Sequence, residues 1–188
     1  LGWQGGAARA HMKRLSDSYW IAEPPEWLLA NARQIADAEA RIGEAKPSVV
    51  AEDDAGSGAT RISVFAPDRP GLFYRISAAL ADAGASIVDA RIHTTHDGMA
   101  LDNLLVHDRL RARLAKAVGA AIAGEFPVLR VDPVADRETF RIAPRVLIAD
   151  KASSRTTVVE VNARDRPALL ARLTGAIFAQ GLQLHSAH

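Results

Sequence analysis

The segment Asp68-Arg69-Pro70-Gly71-Leu72 returns 97 residues further on as Asp165-Arg166-Pro167-Ala168-Leu169. Each copy lies between a strand-like run and an amphipathic helical pattern, so each marks a bend that carries a strand into a helix. The first turn of a helix has backbone N–H groups without intrahelical partners. Such donors beside a glycine suit the carboxylate of a small ligand. The chemistry offered is capture of a free amino acid at such a bend. A structural reading uses the same residues: Asp68 and Asp165 cap their helices, Pro70 and Pro167 set φ, and Gly71 tolerates a tight turn. Capping does not require Arg69 or Arg166, and the repetition of arginine beside the acid leans toward binding.

Other constellations offer less. His93 and His96 are three apart on a strand pattern, which places their rings on opposite faces and argues against a metal pair. The doublets His96-Asp97 and His107-Asp108, of a kind that holds metal in some phosphohydrolases, sit at strand ends without further His or Asp and read as solvated turns. Gly56-Ser57 is not followed by the paired acids that hold Mg²⁺ for nucleotidyl transfer, and no Ser/His/Asp set or P-loop is recognisable. The sequence therefore predicts no catalytic residue, metal site or cofactor within the chain.

The elements that position the bends follow from the repeat. Residues 64–91 and 161–188 are identical at 10 of 28 positions, among them Val64/Val161, Arg75/Arg172, Ala79/Ala176 and Gly84/Gly181. The chain thus holds one module and the start of a second. In the first, residues 61–66 alternate as a strand, and Leu72, Ile76, Leu80 and Ala83 give a helix face that stops at Gly84. Strand two spans about 86–95, with Val88, Ala90 and Ile92 inward. His96-Asp97-Gly98 signals a hairpin into strand three, Met99 to His107. A second helix over about 109–123 carries Leu110, Leu114, Val118 and Ile122, and residues 140–148 supply a fourth strand, with Pro144 at an edge. The order βαββαβ predicts an α+β, ferredoxin-like fold. The second module reads as strand 156–161, helix 169–179 and a strand from Leu182. It is expected to be truncated, since half a module leaves apolar surface and strand edges uncovered.

Before the modules, residues 1–42 read as helical, with one segment around His11 to Leu15 and another beginning near Pro24-Pro25-Glu26. Its loose stripe of Trp27, Leu28, Ile35 and Ala38 predicts docking on something larger. Residues 43–59 are rich in Ala, Gly, Ser and acids and read as a linker. The expected domains are 1–58, a helical segment and linker; 59–150, the first module; and 151–188, the truncated second. The 188 residues carry a net charge of +1 without a basic stripe, which disfavours nucleic acid. No apolar run has the ~20 residues of a membrane span, and the absence of cysteine fits a reducing compartment, so a cytoplasmic location is expected.

The strand, the Asp-Arg-Pro-Gly bend, the amphipathic helix and Ile87-Val88-Asp89-Ala90-Arg91-Ile92 resemble the ACT domain, a ferredoxin-like module that binds amino acids and regulates metabolic enzymes. More narrowly, residues 90–102, Pro144 to Ile148 and Val159-Glu160-Val161-Asn162 running into Asp165-Arg166-Pro167 resemble the C-terminal region of bacterial bifunctional uridylyltransferase/uridylyl-removing enzymes, which modify the PII signalling protein. Met12 to Leu15 and Asp17 to Trp20 resemble it more weakly. The resemblance implies tandem ACT domains that sense L-glutamine, following nucleotidyltransferase and HD-type domains that would hold Mg²⁺ outside this chain. It carries the ligand role onto Asp68, Arg69, Gly71 and Leu72 in the first bend and onto Asp165, Arg166, Ala168 and Leu169 in the second. Ala168 departs from the pattern: its methyl restricts backbone angles and close approach, which counts against the second site. Two rival classes remain: a ligand-free assembly module forming homo-oligomers through sheet edges, and an RNA-binding module, for which the central strands offer only Phe65 to stack bases. An ACT regulatory domain of another amino-acid-metabolism enzyme is a further alternative.

Overall fold

The computed structural model describes residues 2–41, 47–107, 110–124, 143–149 and 156–185. The chain opens with helices α1 (Gly5–Met12), α2 (Asp17–Ala22) and α3 (Pro25–Ala40), the last begun by proline in its first turn. Next come β1 (Ser48–Asp53), β2 (Thr60–Pro67), α4 (Leu72–Asp82), β3 (Ser86–Thr94), β4 (Met99–His107) and α5 (Arg111–Ala123). The second module contributes β5 (Arg145–Ala149), β6 (Val158–Asn162) and α6 (Leu169–Ala179).

The strands form a four-stranded antiparallel sheet in the order β1-β2-β4-β3 and a separate antiparallel pair, β5-β6. With α4 and α5 on one face of the larger sheet, the layout is ferredoxin-like, as the element order predicts. The edge beside β2, where the predicted fourth strand would lie, is however filled from the N-terminal side. Residues 48–53, expected to be linker, pair with β2 from Ser48 opposite Phe65 to Asp53 opposite Thr60. Only Val49 and Ala51 turn toward the core, with Val50 on the other face, so three small apolar residues ahead of two acids carry the whole strand signal. Asp54 closes the hairpin, accepting from the Ser57 backbone N–H at 2.8 Å and the Ser57 hydroxyl at 2.6 Å. Residues 42–46 of that stretch lie outside the described residues.

The strand expected over residues 140–148 exists as β5, though 140–142 lie outside the described residues. It pairs with β6 and not with the first sheet. The offset explains this, because β5 follows β1 by the same 97 residues that separate the two bends. Each repeat therefore begins with a hairpin. Val88, expected inward, is half exposed, because a bulge between Ile87 and Asp89 shifts the register and gives Ile87 the inward place. Leu182 to His185 form no strand, and residues 186–188 lie outside the described residues.

The two faces of the sheet are buried by different chemistry. Against α4 and α5 the core is apolar, with Ile62, Val64, Ile76, Leu80, Leu104, Leu114 and Val118 fully enclosed. Against α2 and α3, a smaller cluster of Tyr19, Ile35, Phe65 and Leu101 surrounds a polar network. Arg61 donates to Asn31 Oδ1 and Asn103 Oδ1, both at 3.0 Å, and pairs with Glu52 at 2.9 Å. Glu23, with no side-chain exposure, lies 2.8 Å from His93 Nε2 and 3.4 Å from both Arg91 Nη1 and Asn103 Nδ2. The N-terminal helices are thus the second covering layer of the sheet.

Removing one partner from such a network leaves buried charge uncompensated, so Glu23→Ala is expected to lower stability by about 3 kcal/mol, read from the urea midpoint. A second clamp is acid-sensitive. Arg14 reaches Glu39 at 2.6 Å and Asp97 at the β3–β4 hairpin tip at 2.5 Å. Its hydrogen bond holds Asp97 down at about 2, from an ordinary 3.8. A depressed carboxyl contributes stability above its unfolded pKa and loses it as pH falls through the folded value. The clamp should therefore weaken between 3.8 and about 2, and Arg14→Gln should return the Asp97 titration, followed by NMR, toward 3.8.

Candidate functional site

Beyond Pro67 the first bend is pinned by the Asp68 N–H, which donates to the Gly98 carbonyl at 2.9 Å. Gly71 then takes φ +78°, a left-handed conformation that suits glycine, and α4 begins. The Leu72 N–H, expected to be free for a ligand, donates to the Arg69 carbonyl at 3.1 Å, and Leu169 repeats this with Arg166 at 3.1 Å. Neither helix has a side-chain cap, so the capping role considered for Asp68 and Asp165 is absent. Asp68 instead accepts from Thr94 Oγ1 and Gln183 Nε2, each at 3.2 Å. Arg69 turns away to the Ile122 carbonyl near the end of α5.

In the second bend Ala168 adopts φ +60° and ψ +20°, close to the conformation of Gly71. Its methyl does not prevent the turn. Asp165 and Arg166 are exposed, and Leu169 is half-buried.

The two bends do not share one site. Helix α4 packs on α6, and the hydroxyls of Ser77 and Thr174 meet at 3.0 Å. These residues are also 97 apart, so the repeat-related positions touch one another and a pseudo-twofold axis passes between them. Each bend then faces the other module's helix C-terminus. The first meets Phe178, Leu182 and Gln183, whose counterparts facing the second are Ala81, Ala85 and Ser86.

Size breaks the symmetry. The Phe178 ring sits against Gly71, where an added Cβ would stand 2.7 Å from Cε2, and the Tyr74 ring sits against Gly175 in the same way at 2.8 Å. The two rings stack at 6.0 Å between centroids. At the first bend this leaves a cavity of about 20 Å³, enough for a single water. The second opens onto a pocket of about 560 Å³.

The cavity also contains a residue that the sequence reading passes over. Asp102 stands on β4 opposite Val64 and Ile92, on the apolar face between Ala100 and Leu104. It is 1% exposed, and its Oδ1 makes no hydrogen bond among the described residues. Burial, and then the nearby Asp68, push its carboxyl well above the usual carboxylate range. The signal was present as an acid at an inward position of an alternating strand.

Residues 60–120 match the ACT domain family. The chain carries an ACT domain. Its matched stretch runs from β2 to α5 and includes the first bend, the cavity and Asp102. Along its length the chain is similar to proteins named bifunctional uridylyltransferase/uridylyl-removing enzyme. The one from Erythrobacter litoralis is 44% identical over all of this chain and 22% of the relative. That from Novosphingobium aromaticivorans is 44% identical over 94% of the chain and 20% of the relative, and that from Zymomonas mobilis 40% over 100% and 22%. The chain thus spans about a fifth of the length of these relatives. No solved structure matches it. An ACT domain in a chain similar to these enzymes supports a regulatory role.

Among the described residues, no group of three or more His, Cys, Asp or Glu is placed to hold a metal ion. No helix there is long and apolar enough to cross a membrane. The sheet face that base stacking would require lies under the N-terminal helices, with Phe65 fully buried.

Gly71→Ala should cost about 1–3 kcal/mol, from the positive φ together with the displaced Phe178 ring. Adding Phe178→Ala should remove the collision but not the backbone strain. A double-mutant cycle in urea measures the coupling, and strict additivity would show that the ring does not close this bend.

Proposed function

We propose that this chain is the glutamine-sensing, regulatory segment of a bifunctional uridylyltransferase/uridylyl-removing enzyme that acts on the PII protein in the cytoplasm. The catalytic domains and their Mg²⁺ belong to portions of the polypeptide outside it. The likeness to the named relatives supports the parent activity, and the ACT domain supports an amino-acid effector.

The observation that carries the reading is the ACT-family match over residues 60–120 in a chain 44% identical to relatives named for that enzyme. The first bend, closed beneath Phe178, counts against ligand entry in this arrangement and sets the condition for binding. An effector shifts an equilibrium only by its differential affinity for two states. A ligand larger than water cannot enter the first site while Phe178, Leu182 and Gln183 cover it, so it binds only an arrangement in which the second module has moved. Its binding energy thereby opposes the α4–α6 contact, and attached domains receive the difference. A ligand at the open second bend would meet no such requirement and would transmit less.

Assembly without ligand has its own support. Val146, Leu147 and Ile148 on β5 and Val158 and Val159 on β6 are substantially exposed, and such strands invite pairing between chains. Calorimetric titration of the chain with L-glutamine and L-glutamate separates the readings. Heat for glutamine with clearly weaker glutamate binding is expected; no heat, or equal affinities, discards sensing. A dimer whose stability ignores every amino acid favours assembly.

A further inference from the structure

We propose that Asp102 and Asp68 form the receptor for the primary ammonium group of the effector, with Asp102 as the buried member and the second module's Gln183 as a lid that the ligand displaces. This deepens the sensing reading and rests on it for the identity of the amino acid.

The geometry is that of a concealed acidic site. Asp102 lines the cavity at the first bend together with Asp68, and the Asp102 side chain is enclosed while its Oδ1 lacks a hydrogen-bond partner among the described residues. A polar atom left in that state is costly, so a protein core with no use for it would place an apolar residue there. Thr94 and Gln183 already donate to Asp68, leaving Asp102 as the acid without a donor. Other titratable groups at the cavity wall are Arg69 and Tyr74, and Arg69 is committed to the Ile122 carbonyl. The remaining walls from β3, α4 and the second module are apolar, among them Ile92, Leu72, Ile177, Phe178 and Leu182, apart from Thr174, whose hydroxyl is engaged by Ser77 and the Leu170 carbonyl. An ammonium group of water size with N–H donors matches a cavity of about 20 Å³ bounded by two carboxyls.

The proton balance follows. In the closed site burial favours the protonated Asp102 carboxyl. When an ammonium group enters, it favours the carboxylate, the Asp102 proton leaves to solvent, and the cation donates hydrogen bonds to both acids. Binding is therefore accompanied by proton release and strengthens as pH rises toward the pKa of the free site. Gln183 loses its contact with Asp68 in the same event, which ties recognition to movement of the second module.

The test compares wild type with Asp102→Asn, an isosteric change, and Asp68→Asn. L-glutamine is titrated in two buffers of different ionisation enthalpy, and N-acetyl-L-glutamine serves as the analogue without the ammonium. The expected result is weakening of roughly tenfold or more in Asp102→Asn, with loss of the proton release expected of wild type below the pKa of the free site. N-acetyl-L-glutamine should fail to bind. Unchanged affinity and proton count in Asp102→Asn, or N-acetyl-L-glutamine binding as tightly as glutamine, overturns the assignment.

A second arm needs no amino acid: methylammonium chloride is compared with sodium chloride at matched ionic strength, with the thermal midpoint as readout. Methylammonium should raise the wild-type midpoint and leave that of Asp102→Asn unchanged. If glutamine does not bind wild type but methylammonium still discriminates, glutamine sensing fails and the acid pair stands. If methylammonium stabilises wild type and Asp102→Asn equally, or neither, the acid pair fails.

Discussion

The contact between Ser77 and Thr174 sets the geometry of the molecule. With Phe178 against the first bend and its counterpart Ala81 beside the second, this contact between equivalent residues lies on a rotation axis relating the repeats. Helices α4 and α6 must then lie face to face, and each bend is brought against the far end of the opposing helix. Small residues allow the approach: Gly71 and Gly175 leave room for Phe178 and Tyr74. Interleaved rings and glycines fix the spacing in a way that a smooth apolar surface would not. One side of the axis is consequently filled and the other, lined by Ala81 and Ala85, is open.

Much of this was legible in the residues. The spacing of Leu72, Ile76 and Leu80 and the stop at Gly84 predict α4, and the tandem Asp-Arg-Pro segments predict two equivalent bends. Residues 48–53 were not legible as a strand, because an edge strand with acids outward and two small inward side chains has nearly the composition of a solvated loop. The sequence identity of the repeats begins at β2, so residues 145–149 read as the last strand of the first sheet although they open the second. Val88 was misplaced because a bulge breaks the two-residue period without a distinctive residue to mark it. Ala168 was judged by its average backbone preference, yet the contacts of the surrounding turn hold it at φ +60°.

The candidate site was half legible. The bends were found, but the partners that close one of them come from the other copy and could be identified only after the axis was known. Asp102 required attention to the strand's alternation over its local motif. The roles first assigned to the bend also changed: the amides of Leu72 and Leu169 serve the turn, and Asp68 reaches across to β3 and to Gln183. The polar groups left at the first cavity are thus the carboxyls beneath the loop, while its backbone amides are taken up by the turn.

Strand β4 has a property that neither face reveals alone. Asp102 projects into the apolar side beneath α4, while its neighbour Asn103 projects to the opposite side, where it accepts from Arg61 and donates toward Glu23. The acid of one compartment and the amide of the other are joined by a single peptide plane. Because adjacent strand residues face opposite sides, a displacement of β4 would disturb the polar network under the helices and the buried acid beneath α4 together.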